Sequence, residues 1–432
     1  MTSKTTSNGV LNTEPQPITS LEDQKYHDSF LALIERNQIP LSRNLLVLLY
    51  SLHFLSSNAS PIHKYTSKFI TLQNVIGFND RAQPIYDIDI SDAFNVLHWI
   101  IVITFLRSFL MKYCFEPFAS RYCNIHSKKA KTRFAEQSWS FTYYSASFIY
   151  GVVLYWNSSY FNNLDQVYIS WPNHYMSFAF KNYYLTSMGF WLQQIFVLNV
   201  EKPRKDHYQM FSHHIITCLL IVGSYYYYFY RIGHLILMLM DSVDIFLSAA
   251  KMLKYAGFPT ACDAMFVVFL VSWIVLRHGL YNYIYLHAWK ESTTLMASGR
   301  CIEGYAQKRC WTPALVNYFL GLLGGLQIIT CIWMYLIFKV AYKVVTGKGA
   351  EDVRSDEDDT DVESAGEAEG YKEEEDEDYE FEEEDEEEEE EEVDEVDEEL
   401  FDEEKIMDDR DSLSSSSETT LDEKKETINR ST

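Results

Sequence analysis

Eight apolar segments of the sequence each have a length that suits a membrane-spanning helix. Such a helix requires about 20 mostly apolar residues, because backbone groups in hydrocarbon must be hydrogen-bonded within the segment. We therefore predict an all-α, polytopic membrane protein with about eight transmembrane helices. The segments are 42–57, 93–115, 138–157, 179–199, 208–229, 233–256, 263–287 and 312–341. The first is short and the third is rich in Ser and Tyr, so the number can differ from eight by one.

The charge of the chain is unevenly distributed. The formal net charge is −26, yet residues 351–432 hold 43 of the 62 acidic residues and 7 of the 36 Lys and Arg residues. Residues 1–350 therefore carry +10 and the tail carries −36. A segment such as 382–392, which is Glu throughout except for Asp385, cannot bury enough apolar surface to fold. We predict that the acidic tail, residues 346–432, and the polar residues 1–40 are disordered.

Basic loops predict the orientation in the membrane. The connection 117–136 and the connection 201–206 are both rich in Lys and Arg. The positive-inside rule places both loops in the cytosol, and with eight spans both termini are then cytosolic as well. The loop 290–311 falls on the lumenal side, where an oxidising environment would permit a disulfide between Cys301 and Cys310.

Charged residues inside the predicted spans are the best guide to function, because a bilayer tolerates them mainly where a partner or a role compensates their cost. The sixth span contains Asp241 and Asp244, which are three residues apart and share a helix face with Lys251. The fifth span contains His213 and His214. Spans five and six are joined by a short connection and should form an antiparallel hairpin.

The position of the turn decides whether these residues meet. A turn centred near Phe229 places His213 and Asp244 at equal depth, whereas a turn at Gly233 offsets them by about two helical turns. If they meet, the carboxylate can fix the imidazole tautomer and leave the second nitrogen to remove a proton or attack a thioester. Two alternatives are hydrogen bonding between packed helices and metal ligation by the two His and two Asp residues.

Residues 206–255 closely resemble the Lag motif of ceramide synthases. The paired histidines His213 and His214 are followed, 28 residues after His213, by Asp241-x-x-Asp244. The resemblance covers about residues 130–345 and implies a TLC-domain helical bundle. The predicted organisation is an N-terminal segment (1–40), two spans with a linker (41–130), a TLC domain of six spans (131–345) that contains the Lag motif (206–255), and the tail (346–432).

The resemblance implies acyl transfer from acyl-CoA to the amino group of a sphingoid base, dihydrosphingosine or phytosphingosine, in the endoplasmic reticulum membrane. It implies His213 as nucleophile or base, Asp244 as its orienting partner, and His214 and Asp241 as supporting groups. No cofactor is expected, because acyl-CoA is a substrate. Neither a bound metal nor a nucleic acid partner is expected. The fungal branch of the family, which the acidic tail and extra N-terminal span resemble, implies a small accessory membrane subunit. A homodimer or heterodimer is a further expectation.

Other residues are candidates for binding and regulation. The phosphates of acyl-CoA could be attracted by Lys202, Arg204 and Lys205, although these residues also fit a simple topology signal. Arg277, deep in the seventh span, could pair with Asp241 or Asp244, or line a cavity that contacts substrate. Phosphorylation by acidophilic kinases is predicted at three tail residues with an acidic residue three positions later, namely Ser415, Thr419 and Thr420.

Two alternative functions remain at this point. One is a non-catalytic TLC-domain protein that binds or senses lipids, and the other is a metal-dependent enzyme that modifies lipids. A non-catalytic protein would not require both histidines together with both aspartates. The acyl-chain length and the identity of the sphingoid base do not follow from the sequence, because they depend on the shape of a pocket between several helices.

Overall fold

The computed structural model describes residues 33, 34, 36–200, 207–302 and 309–346, and for residues 343–345 the backbone alone. These residues belong to one unit, 1–368, and the second unit, 369–432, lies outside them. The predictions of disorder at both ends of the chain therefore fall largely outside the described residues.

Long helices make up most of the described chain. Proline begins three of them, at a position where its missing N–H has no cost. In chain order the helices are α1 Gln38–Leu55, α2 Pro61–Ile70, α3 Asp92–Leu110, α4 Glu116–Tyr122, α5 Lys128–Trp156, α6 Phe178–Val200, α7 His207–Tyr226, α8 Tyr230–Tyr255, α9 Pro259–Ser272, α10 Tyr281–Leu295 and α11 Pro313–Val345. Two π-helical segments, Met111–Phe115 and Trp273–Leu280, join α3 to α4 and α9 to α10 into continuous helices.

Four of these helices are both long and apolar enough to cross a membrane. They are Asp92–Tyr122, Tyr230–Tyr255, Pro259–Leu295 and Pro313–Tyr342. The four other predicted spans are helical as well, at α1, α5, α6 and α7, with 18, 29, 23 and 20 residues. They are long enough to span but more polar in composition. The described chain is thus a mostly helical, multi-pass membrane protein with four clear spans.

A small antiparallel sheet, which was not predicted, accompanies the helices that make up most of the described chain. Its strands are β1 Val75–Phe78, β2 Pro84–Tyr86 and β3 Met176–Ser177, in the order β1-β2-β3. Strand β2 pairs with β3 through Ile85 opposite Ser177 and Tyr86 opposite Met176. Strands of two to four residues leave little periodicity in a sequence, and hydropathy windows of span length pass over them.

A buried ion pair joins the first residue of α3 to α6. The Lys181 side chain is fully buried, and its Nζ lies 2.7 Å from Asp92 Oδ1. The ammonium also donates hydrogen bonds to the backbone carbonyls of Gln73 and Asp87. The second Asp92 oxygen accepts a hydrogen bond from Tyr225 Oη at 2.8 Å. A buried charge requires such partners, so residues 71–92 are structurally tied to the helices that follow.

Asp87 forms a second connection at the same end of the helices. Its carboxylate accepts hydrogen bonds from Tyr228 Oη at 2.9 Å and from Arg309 Nη1 at 2.8 Å, and His174 Nδ1 lies 3.4 Å away. Burial opposes the charge of this carboxylate. Three groups that stabilise the charged form outweigh this effect of burial, so the pKa of Asp87 lies below its usual value. They are the Ile88 backbone N–H, the Tyr228 hydroxyl and the Arg309 guanidinium.

The ends of the bundle can be distinguished by their residues. We call the end near Lys128, His207 and Tyr255 the basic end, and the end near Trp156, Tyr226 and Leu295 the disulfide end. Cys301 and Cys310 form a disulfide beside the latter. Helix α8 packs mainly against α5 and α9, and α7 lies against α6 and α11. These contacts surround the predicted histidines and aspartates.

Candidate active site

The turn between α7 and α8 determines the depth of the predicted residues. Helix α7 ends at Tyr226 and α8 begins at Tyr230, so the turn is centred near Tyr228, whose φ of +61° is left-handed. His213 and Asp244 lie about equally far along their helices from this turn. The structure therefore matches the first of the two geometries left open by the sequence, in which the two residues have equal depth.

The His213 ring lies between two tryptophans. Its centroid is 5.6 Å from the Trp191 ring of α6 and 5.0 Å from the Trp333 ring of α11, and both contacts are edge-to-face. The buried Nδ1 atom of His213 has no hydrogen-bond partner among the described residues. Aromatic packing, rather than a carboxylate, thus orients this imidazole.

The adjacent histidine has a different environment. His214 Nδ1 lies 2.7 Å from the carbonyl oxygen of Met210. A carbonyl can only accept a hydrogen bond, so Nδ1 of His214 carries a proton and donates it. His214 lines one of the cavities described below, whereas His213 lines both.

Asp244 pairs with Arg277 instead of orienting His213. Arg277 Nη2 donates to Asp244 Oδ1 at 2.8 Å and to the Met240 carbonyl at 3.1 Å. The described contacts include no hydrogen bond between Asp244 and His213, which differs from the prediction. The physical reason is charge: Arg277 is 4% exposed, and a buried guanidinium without a counter-charge is far costlier than an unpaired neutral imidazole. Arg277 Nε is buried and has no partner among the described residues.

Asp241 faces a neighbouring helix. Its Oδ2 accepts a hydrogen bond from Ser147 Oγ of α5 at 2.6 Å, and the residue is 2% exposed. It lines neither of the two cavities that Asp244 reaches. Successive residues of an α-helix are rotated by about 100° around its axis. Two side chains three residues apart therefore differ in direction by about 60°. That difference turns Asp241 towards α5 and leaves Asp244 beside His213.

An apolar cavity extends from His213 towards the disulfide end. Along α7 it runs from His213 to Ser224, a distance of about 16 Å at the rise of an α-helix. Most of its lining is aliphatic or aromatic, from α7, α8 and α11: Leu220, Ile221, Phe229, Ile232, Ile236, Leu237, Met240, Leu320, Leu323 and Leu326. Towards the disulfide end, the lining also includes residues from α10 and the positions next to it, and two from other segments: Ala288, Ser292 and Met296, and Tyr168 and Val316.

A polar cavity lies at the basic end. One wall, which we call the basic wall, comes from α3, α5 and α8 and consists of Arg107, Lys129, Arg133, Lys251 and Lys254. A second set of lining residues, which we call the aromatic wall, comes from α9, the π-helical segment Trp273–Leu280 and α11 and consists of Phe269, Trp273, Trp333 and Ile337. Both cavities reach the same four residues, which we call the junction: Trp191, His213, Asp244 and Arg277.

Several predicted binding and modification sites lie outside the described residues. These are Lys202, Arg204 and Lys205, and Ser415, Thr419 and Thr420. Among the described residues, no three or more His, Cys, Asp or Glu side chains are grouped in a way that could hold a metal ion.

The basic wall was not predicted as part of the site. Lys129 and Arg133 belong to the basic connection that predicted orientation, and their spacing of four residues at the start of α5 was an available signal. Arg107 lies in the predicted span 93–115, where an isolated cation is a functional candidate. Trp191 and Trp333 carried no signal in the sequence, because tryptophans are common in the spans of membrane proteins.

Comparisons with known proteins bear on the same region. Residues 133–339 match the TRAM_LAG1_CLN8 family, described as the TLC domain. Sphingosine N-acyltransferase-like protein ALT7 of Alternaria alternata is 37% identical over 318 residues, which cover 67% of this chain and 73% of that protein. Sphingosine N-acyltransferase lag1 of Schizosaccharomyces pombe is 40% identical over 277 residues, or 63% and 70% of the two chains. Ceramide synthase 5 of Homo sapiens is 37% identical over 226 residues, or 52% and 54%.

Proposed function

Because the chain belongs to the ceramide synthase family of TLC-domain membrane proteins, we propose that it transfers a fatty acyl group from coenzyme A to the amino group of a sphingoid base. The observation that carries this proposal is the junction of a basic, polar cavity with an apolar one at His213. A thioester between a polyanionic headgroup and a long hydrocarbon chain has the same division of polarity.

The two cavities match the two halves of acyl-CoA. The phosphates of coenzyme A suit the basic wall, because Lys and Arg side chains pair with phosphate oxygens. The acyl chain suits the apolar cavity, where each buried methylene contributes about 0.8 kcal/mol. The thioester carbonyl then lies at the junction, next to His213 and Arg277. Lys202, Arg204 and Lys205, which precede α7, would add to the attraction for the headgroup.

His213 is the proposed nucleophile or base. As nucleophile, an imidazole nitrogen attacks the thioester carbonyl, the C–S bond breaks and coenzyme A leaves as a thiolate. The neutral amine of the sphingoid base then attacks the acyl carbon, releases the imidazole and loses one proton, which the thiolate or solvent takes. As base, His213 removes the proton from the amine while the amine attacks the thioester directly. Both routes yield an amide and free coenzyme A.

Arg277 and Asp244 are the proposed supporting groups. The partnerless Nε–H of Arg277 is a hydrogen-bond donor for the oxyanion that develops on the carbonyl, and Asp244 holds the guanidinium in place through its ion pair. His214, with its proton on Nδ1, and Asp241, which is bonded to Ser147, support the positions of α7 and α8.

The proposal also includes the orientation of the protein and the membrane in which it acts. The basic end faces the cytosol, both termini are cytosolic, and α1, α5, α6 and α7 complete a set of eight spans in the endoplasmic reticulum membrane. Acyl-CoA then reaches the polar cavity from the cytosol. A small accessory membrane subunit and a dimer remain part of this proposal, and the exposed apolar side chains of α1 offer a surface for either.

Expression in a host that lacks ceramide synthase tests the function. Membranes with this chain should form ceramide from sphingoid base and an acyl-CoA series, measured by lipid mass spectrometry. His213→Ala should lower the rate by about 1,000-fold or more, as expected for loss of a nucleophile or base. The matched control His287→Gln, outside both cavities, should stay within about twofold of the unmodified chain. Comparable rates for both variants would contradict the role of His213.

Incubation with acyl-CoA alone distinguishes the two routes. The covalent route predicts an acyl adduct on the peptide that contains His213, detected by mass spectrometry and missing from His213→Gln. Ceramide formation without any such adduct would favour direct attack by the amine.

A further inference from the structure

The aromatic wall of the polar cavity has no role in the reaction as described so far. Its four residues are between 1% and 6% exposed, and they border the polar cavity but not the apolar one. Trp333 touches the His213 ring, and Trp273 lies 6.3 Å from Trp333 and 5.6 Å from Phe269, measured between ring centroids. A continuous apolar surface thus begins at the reactive imidazole and leads away from the acyl cavity.

Acyl transfer requires a place for a second long hydrocarbon chain. When the acyl chain fills the apolar cavity and the headgroup faces the basic wall, the aromatic wall offers apolar surface that starts at the junction, where Trp333 contacts the His213 ring. The Lys and Arg side chains of the basic wall repel an ammonium ion, although Glu136, which is ion-paired with Arg133 in the same cavity, offsets part of this charge. Indole and phenyl faces attract both hydrocarbon and ammonium groups.

Trp333 provides a specific hydrogen-bond donor on this wall. Its Nε1 atom is buried and has no partner among the described residues, although the residue is 6% exposed. A buried N–H without an acceptor is costly, and indole can only donate. The donor therefore points to a ligand with an acceptor oxygen near His213. A long-chain amino alcohol supplies hydroxyl oxygens within two bonds of the amine-bearing carbon.

On the premise of the acyl transfer described above, we propose that the aromatic wall of Phe269, Trp273, Trp333 and Ile337 is the binding site for the sphingoid base. The hydrocarbon chain of the base lies along Phe269 and Ile337, and Trp333 Nε1 donates a hydrogen bond to one of its hydroxyl oxygens. The amine then faces the thioester carbonyl from the side of His213 that Trp333 contacts. Trp191, which borders both cavities, contacts the same imidazole from α6.

A matched pair of Trp→Phe variants tests this site. Trp333→Phe keeps an aromatic ring but loses the donor, and should raise the KM for dihydrosphingosine by about three- to tenfold, as for one lost hydrogen bond. Its KM for acyl-CoA should stay within about twofold. Trp191→Phe, on the acyl-CoA side of the same imidazole, should instead raise the KM for acyl-CoA. The reverse pattern, or no change in either KM for Trp333→Phe, overturns the proposal.

Photolabelling of the unmodified full chain gives a second measurement that does not depend on the folding of a variant. A sphingoid base with a diazirine on its hydrocarbon chain should label peptides from 259–280 and 313–345, and excess dihydrosphingosine should prevent the labelling. Labelling confined to 217–240 would place the base in the apolar cavity and overturn the proposal. If the unmodified chain forms no ceramide, the proposed function itself is wrong. If it forms ceramide but the label is found elsewhere, only the proposal that the aromatic wall binds the sphingoid base is wrong.

Discussion

Adjacent residues of the candidate site differ in what they can do. His213 borders both cavities with an unpaired Nδ1, whereas the Nδ1 of His214 is bonded to a backbone carbonyl. Asp244 borders the junction, whereas Asp241 is bonded to Ser147 and faces α5. The sequence pairs these residues symmetrically, but the helix rotation of about 100° per residue separates their roles.

The two aspartates should respond differently to the same substitution. Asp244→Asn removes the counter-charge of buried Arg277, which costs about 3–5 kcal/mol and disturbs the junction. Asp241→Asn retains a carbonyl oxygen that can accept the hydrogen bond from Ser147. We expect the loss in kcat/KM to be at least about tenfold greater for Asp244→Asn, measured at equal amounts of membrane-inserted protein. Equal losses would show that Asp241 acts at the reaction centre.

At the scale of elements, the apolar cavity is bordered by Met296, the residue that follows α10. Met296 is 1% exposed, and its backbone carbonyl accepts a hydrogen bond from Trp311 Nε1 at 2.7 Å. The backbone is therefore fixed by a hydrogen bond that does not involve the Met296 side chain, and Met296 lines the apolar cavity. The length of the acyl chain should depend on this side chain.

Met296→Ala should shift the preference to longer acyl chains. The smaller side chain lengthens the cavity, and the ratio of kcat/KM for the next longer acyl-CoA over the best substrate should rise by about tenfold. A competition assay with mixed acyl-CoA lengths, read by mass spectrometry, measures this ratio. The matched control Met334→Ala borders neither cavity and should leave the ratio unchanged. An equal shift in both variants would indicate a general loosening of the bundle.

The connection made by Asp87 between the segment before α3 and the later part of the chain predicts a dependence of stability on pH. The pKa of Asp87 is below its ordinary value of 3.8 in the folded protein, so the folded state binds fewer protons than the unfolded chain. The stabilisation is therefore present above pH 3.8 and is lost as the pH falls below it. Arg309, Tyr228 and His174 are the groups that face this carboxylate.

Thermal unfolding in detergent should reveal this contribution. The melting temperature of the unmodified protein should fall as the pH is lowered from about 5 to about 3, as expected for a carboxylate whose pKa is depressed on folding. Asp87→Asn should be less stable at neutral pH and show a weaker fall over the same range. An identical pH dependence in both proteins would assign the acid sensitivity to other carboxylates.

At the scale of the whole molecule, the charge distribution relates the tail to the site. Helix α11 runs from the disulfide end to the basic end, where acyl-CoA is proposed to bind, and its residues Trp333 and Ile337 border the polar cavity. The tail carries −36 and residues 1–350 carry +10. The tail and the anionic headgroup should therefore compete for the same basic residues.

Truncation after Gly349 tests this competition. At low ionic strength the shortened chain should have an apparent KM for acyl-CoA about twofold to fivefold lower, because an exposed charge acts over about a Debye length. Added salt to about 0.5 M should abolish the difference, since screening shortens that length. An unchanged KM at low salt would mean that the tail serves another purpose.

Much of the architecture could be predicted from the sequence, because its causes are local. An apolar run of span length requires a helix in a membrane, and the structure has a helix at each of the eight predicted positions. Four of them are apolar enough to count as clear spans. The short sheet was missed because β3 is separated by about 90 residues from the strand with which it pairs.

The sequence by itself determined the helices and the uneven charge, and it singled out the His and Asp residues that are candidates for the site. The tertiary structure decided their partners: Asp244 pairs with Arg277, Asp241 with Ser147, and His213 packs between two tryptophans. It also decided which cations form the basic wall. The physical reason is that helix formation depends on neighbours in the chain, whereas the partner of a buried charge depends on the rotation and contacts of helices far apart in sequence.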